Sequence, residues 1–310
     1  MIHATYHVPV LLKETINGLN LSAGKKYIDA TVGGAGHSIE ILRHGGWVLG
    51  IDADPDAIGE TERRVKETIT KEKLDVKSVF VQGNFNNLKS IAVQNGFNKV
   101  SGILFDLGIS SHQLDQSGRG FSLRADELLD MRMDPKMDKN AADIINHYTA
   151  KELYDCFASY AEELHSRGIA EAIVRARTMK MPITRTTDLI TIISQTLRKS
   201  YGNLYDREFD RKVHDTAARI FQAIRIVVND ELNNIKEALV QAMELLEPKG
   251  RLAVISFHSL EDRIVKRYFI SMVDQNRAIF IEKNPIRASW TEQKQNSRSK
   301  SAKLRIIEKI

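Results

Sequence analysis

The stretch from Lys26 to Leu42 constrains this chain most. Lys26-Tyr27-Ile28-Asp29-Ala30-Thr31-Val32 reads as a short buried strand and Gly33-Gly34-Ala35-Gly36 as a tight turn. His37-Ser38-Ile39-Glu40-Ile41-Leu42 then begins a helix. Glycines at such a turn permit positive φ and let backbone approach a ligand closely. Trp47-Val48-Leu49-Gly50-Ile51-Asp52 follows as a second apolar strand ending in a carboxylate. Pro55 suits the first turn of a helix through Val65, and Val76 to Val81 and Val100 to Leu107 supply two more strands. Strands that are apolar throughout, rather than alternating, are buried on both faces. The alternation therefore predicts an α/β fold of right-handed βαβ units around a parallel sheet.

Such a sheet binds ligands beyond the carboxyl ends of its strands, where the strand order reverses. The glycine turn falls there. Asp52 does too, where a carboxylate can accept hydrogen bonds from two ribose hydroxyls. Together they indicate an adenosine-type cofactor. The turn is neither G-x-G-x-x-G nor G-x-x-x-x-G-K-[ST], and no Lys follows the glycines to hold a nucleotide phosphate, which disfavours a P-loop ATPase. Asp29, just before the turn, would repel a pyrophosphate but can help to hold the ammonium and sulfonium of S-adenosylmethionine. Another reading stays open: a nicotinamide-dependent dehydrogenase on the same sheet type.

Phe105-Asp106-Leu107-Gly108-Ile109-Ser110-Ser111-His112-Gln113 follows the fourth strand and borders cofactor and substrate alike. Asp106 and Gln113 are candidates for cofactor contacts, Ser110 and Ser111 for a polar substrate. The lone pair of an exocyclic base amine is delocalised into the ring. An acceptor on its N–H groups localises that pair and aligns it for methyl transfer, and Asp106 has the chemistry for this. Arg119 beside Phe121, and Arg132, suit phosphate binding and base stacking, or equally a salt-bridged loop. Arg219 and His258 are further substrate candidates with an equally plain structural reading. No His/Asp/Glu spacing makes a convincing metal site. Cys156, the single cysteine, excludes an intrachain disulfide and reads as a small buried hydrophobe.

From about Gln113 to Tyr205 no strand pattern is found. Thr149-Ala150-Lys151-Glu152 is a capping-box match opening a helix through Tyr160. Ile169, Ala170, Ile173 and Val174 stripe the next helix, which ends at Pro182. Thr187 or Asp188 caps a third. The expected organisation is a first core part at 1–113, an inserted helical subdomain at 114–209, and a second core part at 210–310. In the last part Ile220 to Leu246 follows helical spacing with a break near Asn229-Asp230. Arg251 to Phe257 is a strand, Ser259 caps a helix through Met272, and Ala278–Glu282 and Lys303–Glu308 are final strands. The formal net charge is +5. From Arg263 to Ile310, however, twelve Lys and Arg face four acids. A basic end on a near-neutral body suits a polyanion such as RNA, or simply a solvated surface. No run of about 18 apolar residues and no signal-peptide pattern occurs, which disfavours a membrane span and secretion.

The motifs also occur in a familiar order. His7-Val8-Pro9-Val10-Leu11-Leu12 comes first, then DATVGGAGHS from Asp29, Gly50-Ile51-Asp52, Gly83-Asn84-Phe85, and GILFDLGISSHQ from Gly102. RGFS at Arg119, LDMRMD ending at Asp134, Phe221 to Ile226, Val228 to Leu232, RLAVISFHSLEDRIVK from Arg251 and SAKLR from Ser301 complete the set. The set resembles the bacterial 16S ribosomal RNA cytosine-N4 methyltransferase family (RsmH or MraW) over essentially the whole chain. The resemblance implies a Rossmann-like class I methyltransferase fold, dependent on S-adenosylmethionine, with an inserted all-helical subdomain. It implies methylation at N4 of a cytidine in the decoding centre (P site) of 16S rRNA in the small ribosomal subunit, by a cytoplasmic enzyme. It assigns the cofactor to Ala35, Gly36, His37, Asp52, Phe85, Asp106 and Gln113, with Asp52 on the ribose and Phe85 as an apolar wall near the adenine. The insertion and the basic C-terminal region, including Lys303 and Arg305, are expected to grip folded RNA around an exposed or splayed cytosine. A homodimer is left open, as is a non-enzymatic ribosome-binding or assembly factor that retains a dead site. The chain departs from the family pattern at Ala35, His112, Leu128, Asp215 to Arg219, Ser297 and Lys300.

Overall fold

A computed structural model describes residues 9–115, 117–179, 182–202 and 205–310, without the side chain of Ser111; His7 and Val8 lie outside the described residues. The chain divides into two compact units. One joins the residues up to Ser111 with Leu232–Ile310, and the other is His112–Glu231.

The first unit is built on a seven-stranded sheet: β1 (Lys26–Asp29), β2 (Trp47–Asp52), β3 (Ser78–Gln82), β4 (Val100–Asp106), β5 (Leu246–Ser256), β6 (Ala278–Phe280) and β7 (Lys303–Lys309). Their order is β3-β2-β1-β4-β5-β7-β6. The first five run parallel, as the apolar patterning predicts. The last pair corrects an all-parallel sheet, because β7 lies antiparallel to both β5 and β6. The chain between β6 and β7 holds only the short helix Trp290–Gln295 and a 3-10 turn, not the long helical crossover that the parallel connections use.

The sheet is covered on both faces. Ile28, Leu49, Ile103, Phe105, Leu252 and Val254 point into one core with Phe269. Their neighbours in sequence, Tyr27, Val48, Leu104, Ala253 and Ile255, point into the other with Leu304 and Ile306. Successive side chains leave a strand on opposite faces, so a strand packed on both sides has no polar face to show.

Local chemistry sets the helix ends. Asp54 caps the helix Pro55–Glu72, its side chain accepting from the Asp56 N–H at 3.1 Å, with Pro55 in the first turn. The helix Ser259–Asp274 is capped by His258, one residue before the expected Ser259. His258 Nδ1 accepts from the Glu261 N–H at 3.4 Å, and the Glu261 carboxylate reaches back to the Phe257 N–H at 2.8 Å.

In the second unit, Thr149 opens the helix Ala150–Cys156 with the expected capping box, and a π-helical turn, Phe157–Ala161, follows directly. The helices Ser166–Met179 and Thr186–Ser200 come next. The latter has Arg185 at its cap position, not Thr187 or Asp188; Asp188 instead accepts from the Arg185 N–H at 3.1 Å as the third residue of the helix. The helix Asp206–Asn229 also belongs to this unit, so the expected boundary at 209/210 falls inside it. It stops where the sequence indicates, with Asp230 in the left-handed region at φ 48°. Among the described residues of this unit the only β pairing is an isolated bridge, Leu128 to Arg185. Cys156 is buried with its thiol pushed up to about 12 by burial, an inert packing residue. No described helix is long and apolar enough to cross a membrane.

Phe269 is fully buried between sheet and helix. Phe269→Ala is expected to cost about 3–5 kcal/mol through the cavity it leaves. Urea unfolding checks this, and an unchanged midpoint would contradict the packing described.

Candidate active site at the switch point of the sheet

β1 lies between β2 and β4, so the sheet order reverses at its carboxyl end. Three strands end there in aspartates: Asp29 on β1, Asp52 on β2 and Asp106 on β4. Glycine and alanine shape the turn between β1 and the helix Gly36–Arg43. Gly33 has φ 48° and Ala35 has φ 63°. Ala35 is completely buried, and its N–H donates to the Val32 carbonyl at 2.8 Å. A left-handed alanine costs on the order of 1–2 kcal/mol, which packing and hydrogen bonding here offset. A Cβ at Gly36 would come within 2.7 Å of the Pro9 ring, so position 36 has room only for glycine. Thr61 Oγ1 donates to the Gly33 carbonyl at 3.0 Å, and Arg64 donates to the Gly34 carbonyl. The helix after β2 thus ties the turn down.

Asp52 is held by two N–H donors: Gly33 to Oδ2 at 2.9 Å and Asp54 to Oδ1 at 3.0 Å. An ionised carboxylate has about four acceptor sites, so two remain for a pair of hydroxyls. Phe85 follows closely, because the Gly83 N–H donates to the Asp52 carbonyl at 2.8 Å. Its ring meets Phe105 edge-on, 5.7 Å between centroids, which fixes its orientation beside Asp52.

Asp29 is almost fully buried. Ser38 Oγ donates to its Oδ2 at 2.7 Å and the Thr31 N–H to Oδ1 at 3.4 Å. Asp106 is positioned from its own backbone, whose N–H donates to Thr31 Oγ1 at 2.6 Å. His37 Nδ1 lies 3.8 Å from Asp106 Oδ2, and its Nε2 donates to the Val10 carbonyl at 3.2 Å. Asp106 Oδ1 is buried and has no hydrogen-bond partner among the described residues. An orphaned buried acceptor costs about 1–3 kcal/mol unless something donates to it. A cationic or N–H-bearing ligand would satisfy this oxygen, and the ammonium of S-adenosylmethionine fits it.

The carboxyls respond to their surroundings as such a site requires. Burial pushes Asp29 up to about 6 against the opposing hydrogen bonds from Ser38 and Thr31. Burial does the same to Asp52, also to about 6, against the N–H groups of Asp54 and Gly33. Asp106 is held well above the carboxylate range by burial first, then by the charges of Asp29 and Glu261. A bound cation would relieve all three.

The remaining expected residues divide. Ser110 lies beside Gly33, where a Cβ built at the glycine would be 3.9 Å from the Ser110 Cβ. Gln113 is buried in the second unit. There Arg119 donates to the Arg132 and Met133 carbonyls at 3.2 and 3.1 Å, and its guanidinium lies 5.7 Å from the Phe121 ring, which is itself buried. Arg132 grips both Asp130 oxygens at 2.8 Å. Arg219 pairs with the buried Glu163. Burial pushes the Glu163 carboxyl up, but Arg219, the His165 N–H and Thr216 outweigh it and leave it below its usual range. In the first unit Lys303 and Arg305 both hold Asp262, at 2.9 and 2.7 Å. Sequence reasoning missed the groups that steady the rim: Thr31, Ser38, Thr61, Arg64 and Glu261. The first two lie inside the glycine-turn motif, where a hydroxyl next to a buried carboxylate is a readable signal.

Five parallel strands in this order, a left-handed turn after β1 and carboxylates closing β1, β2 and β4 define a Rossmann-like methyltransferase. The profile of the MraW methylase family matches residues 4–310, and the chain belongs to that family. It is 43% identical to a ribosomal RNA small subunit methyltransferase H from Carboxydothermus hydrogenoformans, covering 98% of each chain. It is 40% identical to the protein of the same name from Finegoldia magna, again over 98% of each. Among solved structures, a chain described as a putative rRNA-methylase from Clostridium thermocellum aligns over 98% of this chain and 99% of its own at 15% identity, TM-score 0.43. The chain is thus a methyltransferase whose methyl donor is S-adenosylmethionine, and the dehydrogenase alternative falls.

Asp29 and Asp52 have folded-state values near 6 against an ordinary 3.8. Between those values the folded chain binds more protons than the unfolded one, so their contribution to stability is full at low pH and is lost as pH rises toward about 6. Carbon-13 NMR titration of the ligand-free protein is expected to show two aspartates with midpoints near pH 6. All aspartate midpoints below about 5 would contradict the burial described.

Proposed function

We propose that this chain transfers the methyl group of S-adenosylmethionine to N4 of a cytidine in the decoding centre of small-subunit ribosomal RNA. The observation that carries the reading is the acidic rim, above all the unpartnered Asp106 Oδ1 beside Asp29 and Asp52. The names of the relatives supply the rRNA, and the ordered motifs supply the cytosine amine.

When bound, S-adenosylmethionine supplies a methyl group on a cationic sulfur. Asp52 receives the ribose hydroxyls on the acceptor sites that Gly33 and Asp54 leave open. Phe85 forms the wall beside the base. Asp106 receives an N–H of the ammonium on Oδ1, and Asp29 adds negative potential behind it. Ala35, Gly36 and His37 bring backbone to the ligand at the start of their helix, and Gln113 is proposed to complete the cofactor contacts. Ser110 follows β4 and offers a contact to the base; the side chain of Ser111, also expected there, lies outside the described residues. The rate then derives from holding donor and amine in line within a dry, negatively charged site, since no covalent intermediate is needed.

Arg132, Arg219, Lys303 and Arg305 already hold carboxylates, so their first role is to set the shape of the RNA-facing segments. The exposed cations Lys266, Arg267, Lys283, Arg287 and Lys300 are better placed to meet phosphate. Binding should therefore weaken steeply with salt.

Asp52→Ala should cost about 1.5–3 kcal/mol of cofactor binding by calorimetry, because a charged acceptor is lost. Cofactor binding to the wild type should release protons near pH 6, because a cation favours the ionised aspartates; proton uptake would contradict the placement. Asp106→Asn should raise KM for S-adenosylmethionine. A fall in kcat with KM unchanged would move Asp106 from the ammonium to the amine. Mapping N4-methylcytidine in small-subunit RNA incubated with protein and donor tests the whole reading. Incorporation at another base atom, or none, would overturn it.

A further inference from the structure

We infer that Trp290, on the short helix Trp290–Gln295, is a stacking platform for an unpaired base of the RNA substrate. The inference rests on the RNA reading above and adds a contact that neither the family motifs nor the acidic rim contains.

Trp290 is 70% exposed, while the other tryptophan, Trp47, is partly buried on the sheet. Leaving an indole in water forgoes a large burial gain, and an isolated exposed tryptophan in a cationic setting matches a single-stranded nucleic-acid contact. Lys294, one turn on, places its ammonium 3.6 Å from the ring centroid. It orients the ring and stands where a phosphate flanking a stacked base would pass. Arg287 precedes the helix and Lys300 follows it, both exposed. The one nearby acid on the helix is turned away, because Glu292 Oε1 accepts from the Leu11 N–H at 2.8 Å.

That same bond locates the platform. Leu11 follows Pro9 and Val10. The Pro9 ring packs on Gly36, and the Val10 carbonyl receives His37. One strap of three residues therefore joins the tryptophan helix to the cofactor turn. A base held on Trp290 would belong to the strand that presents the target cytosine. Ser289 caps the helix, accepting from the Glu292 N–H at 3.1 Å, so the first turn, which carries Trp290, is held in place.

The test uses the full chain. Trp47→Phe leaves Trp290 as the only tryptophan, and with excitation selective for tryptophan over tyrosine, titration with a short oligocytidylate should quench it to saturation. The same length of RNA duplex should not. In methyl transfer to small ribosomal subunits, Trp290→Ala should raise KM about five- to a hundredfold, the range of one lost stacked base, with kcat and donor affinity unchanged. Trp290→Phe should recover most of the loss. No quenching, equal quenching by duplex, an unchanged KM for Trp290→Ala, or Trp290→Phe as impaired as Trp290→Ala would each overturn the inference. Self-association abolished by Trp290→Ala with KM unchanged would do so too, and would assign the indole to a second copy of the chain. If the wild type methylates no RNA, the function reading fails on its own, and the quenching experiment still decides the stacking.

Discussion

The burial of three carboxylates at one end of a parallel sheet is the constraint on which the rest of this structure depends. Strands β1, β2 and β4 each carry apolar residues along their length and an aspartate at the end, so the sheet that makes the core also gathers negative charge where water is scarce. Burial raises all three carboxyls. The protein meets that cost locally: with Ser38 and Thr31 on Asp29, and with the N–H groups of Gly33 and Asp54 on Asp52. Of the three, Asp106 keeps an oxygen without a donor among the described residues. A site that satisfies two neighbours and leaves the third short supports the proposal that a cation, such as a sulfonium methyl donor, binds there.

The basic side chains show the complementary economy. Most of the arginines that look available for RNA in the sequence are engaged inside their own unit. Arg219 holds Glu163, Arg225 holds Glu231 at 2.7 and 2.9 Å, and Lys303 and Arg305 share Asp262. Such partly buried pairs fix geometry more than they add stability, because desolvation offsets much of their attraction. They stiffen the surfaces from which the freely exposed cations project.

What could be read from the sequence follows from how local each signal is. The glycine turn, Asp52 at a strand end, the capping box at Thr149 and the stop at Asn229-Asp230 each depend on a few adjacent residues, and each is where the sequence places it. The cap sits at His258, one residue before Ser259, because a histidine ring can accept a helix N–H as a serine hydroxyl can. The antiparallel entry of β7 was hidden, since strand direction depends on the path of the preceding segment and not on the strand's composition. The partners of Lys303 and Arg305 lie some forty residues away on another element, and no local pattern reports them. The orphaned oxygen of Asp106 was equally invisible, because an absence of donors is a property of the assembled site. The tethers from Thr61 and Arg64 to the turn carbonyls arise from packing of the helix Pro55–Glu72 on the turn after β1.

The most direct measurement of the central claim is a crystal structure of the chain with S-adenosylmethionine bound. The account predicts ribose hydroxyls on Asp52, the adenine beside Phe85 and the ammonium donating to Asp106 Oδ1. A donor bound elsewhere, or bound at the rim with Asp106 Oδ1 still lacking a partner, would contradict it.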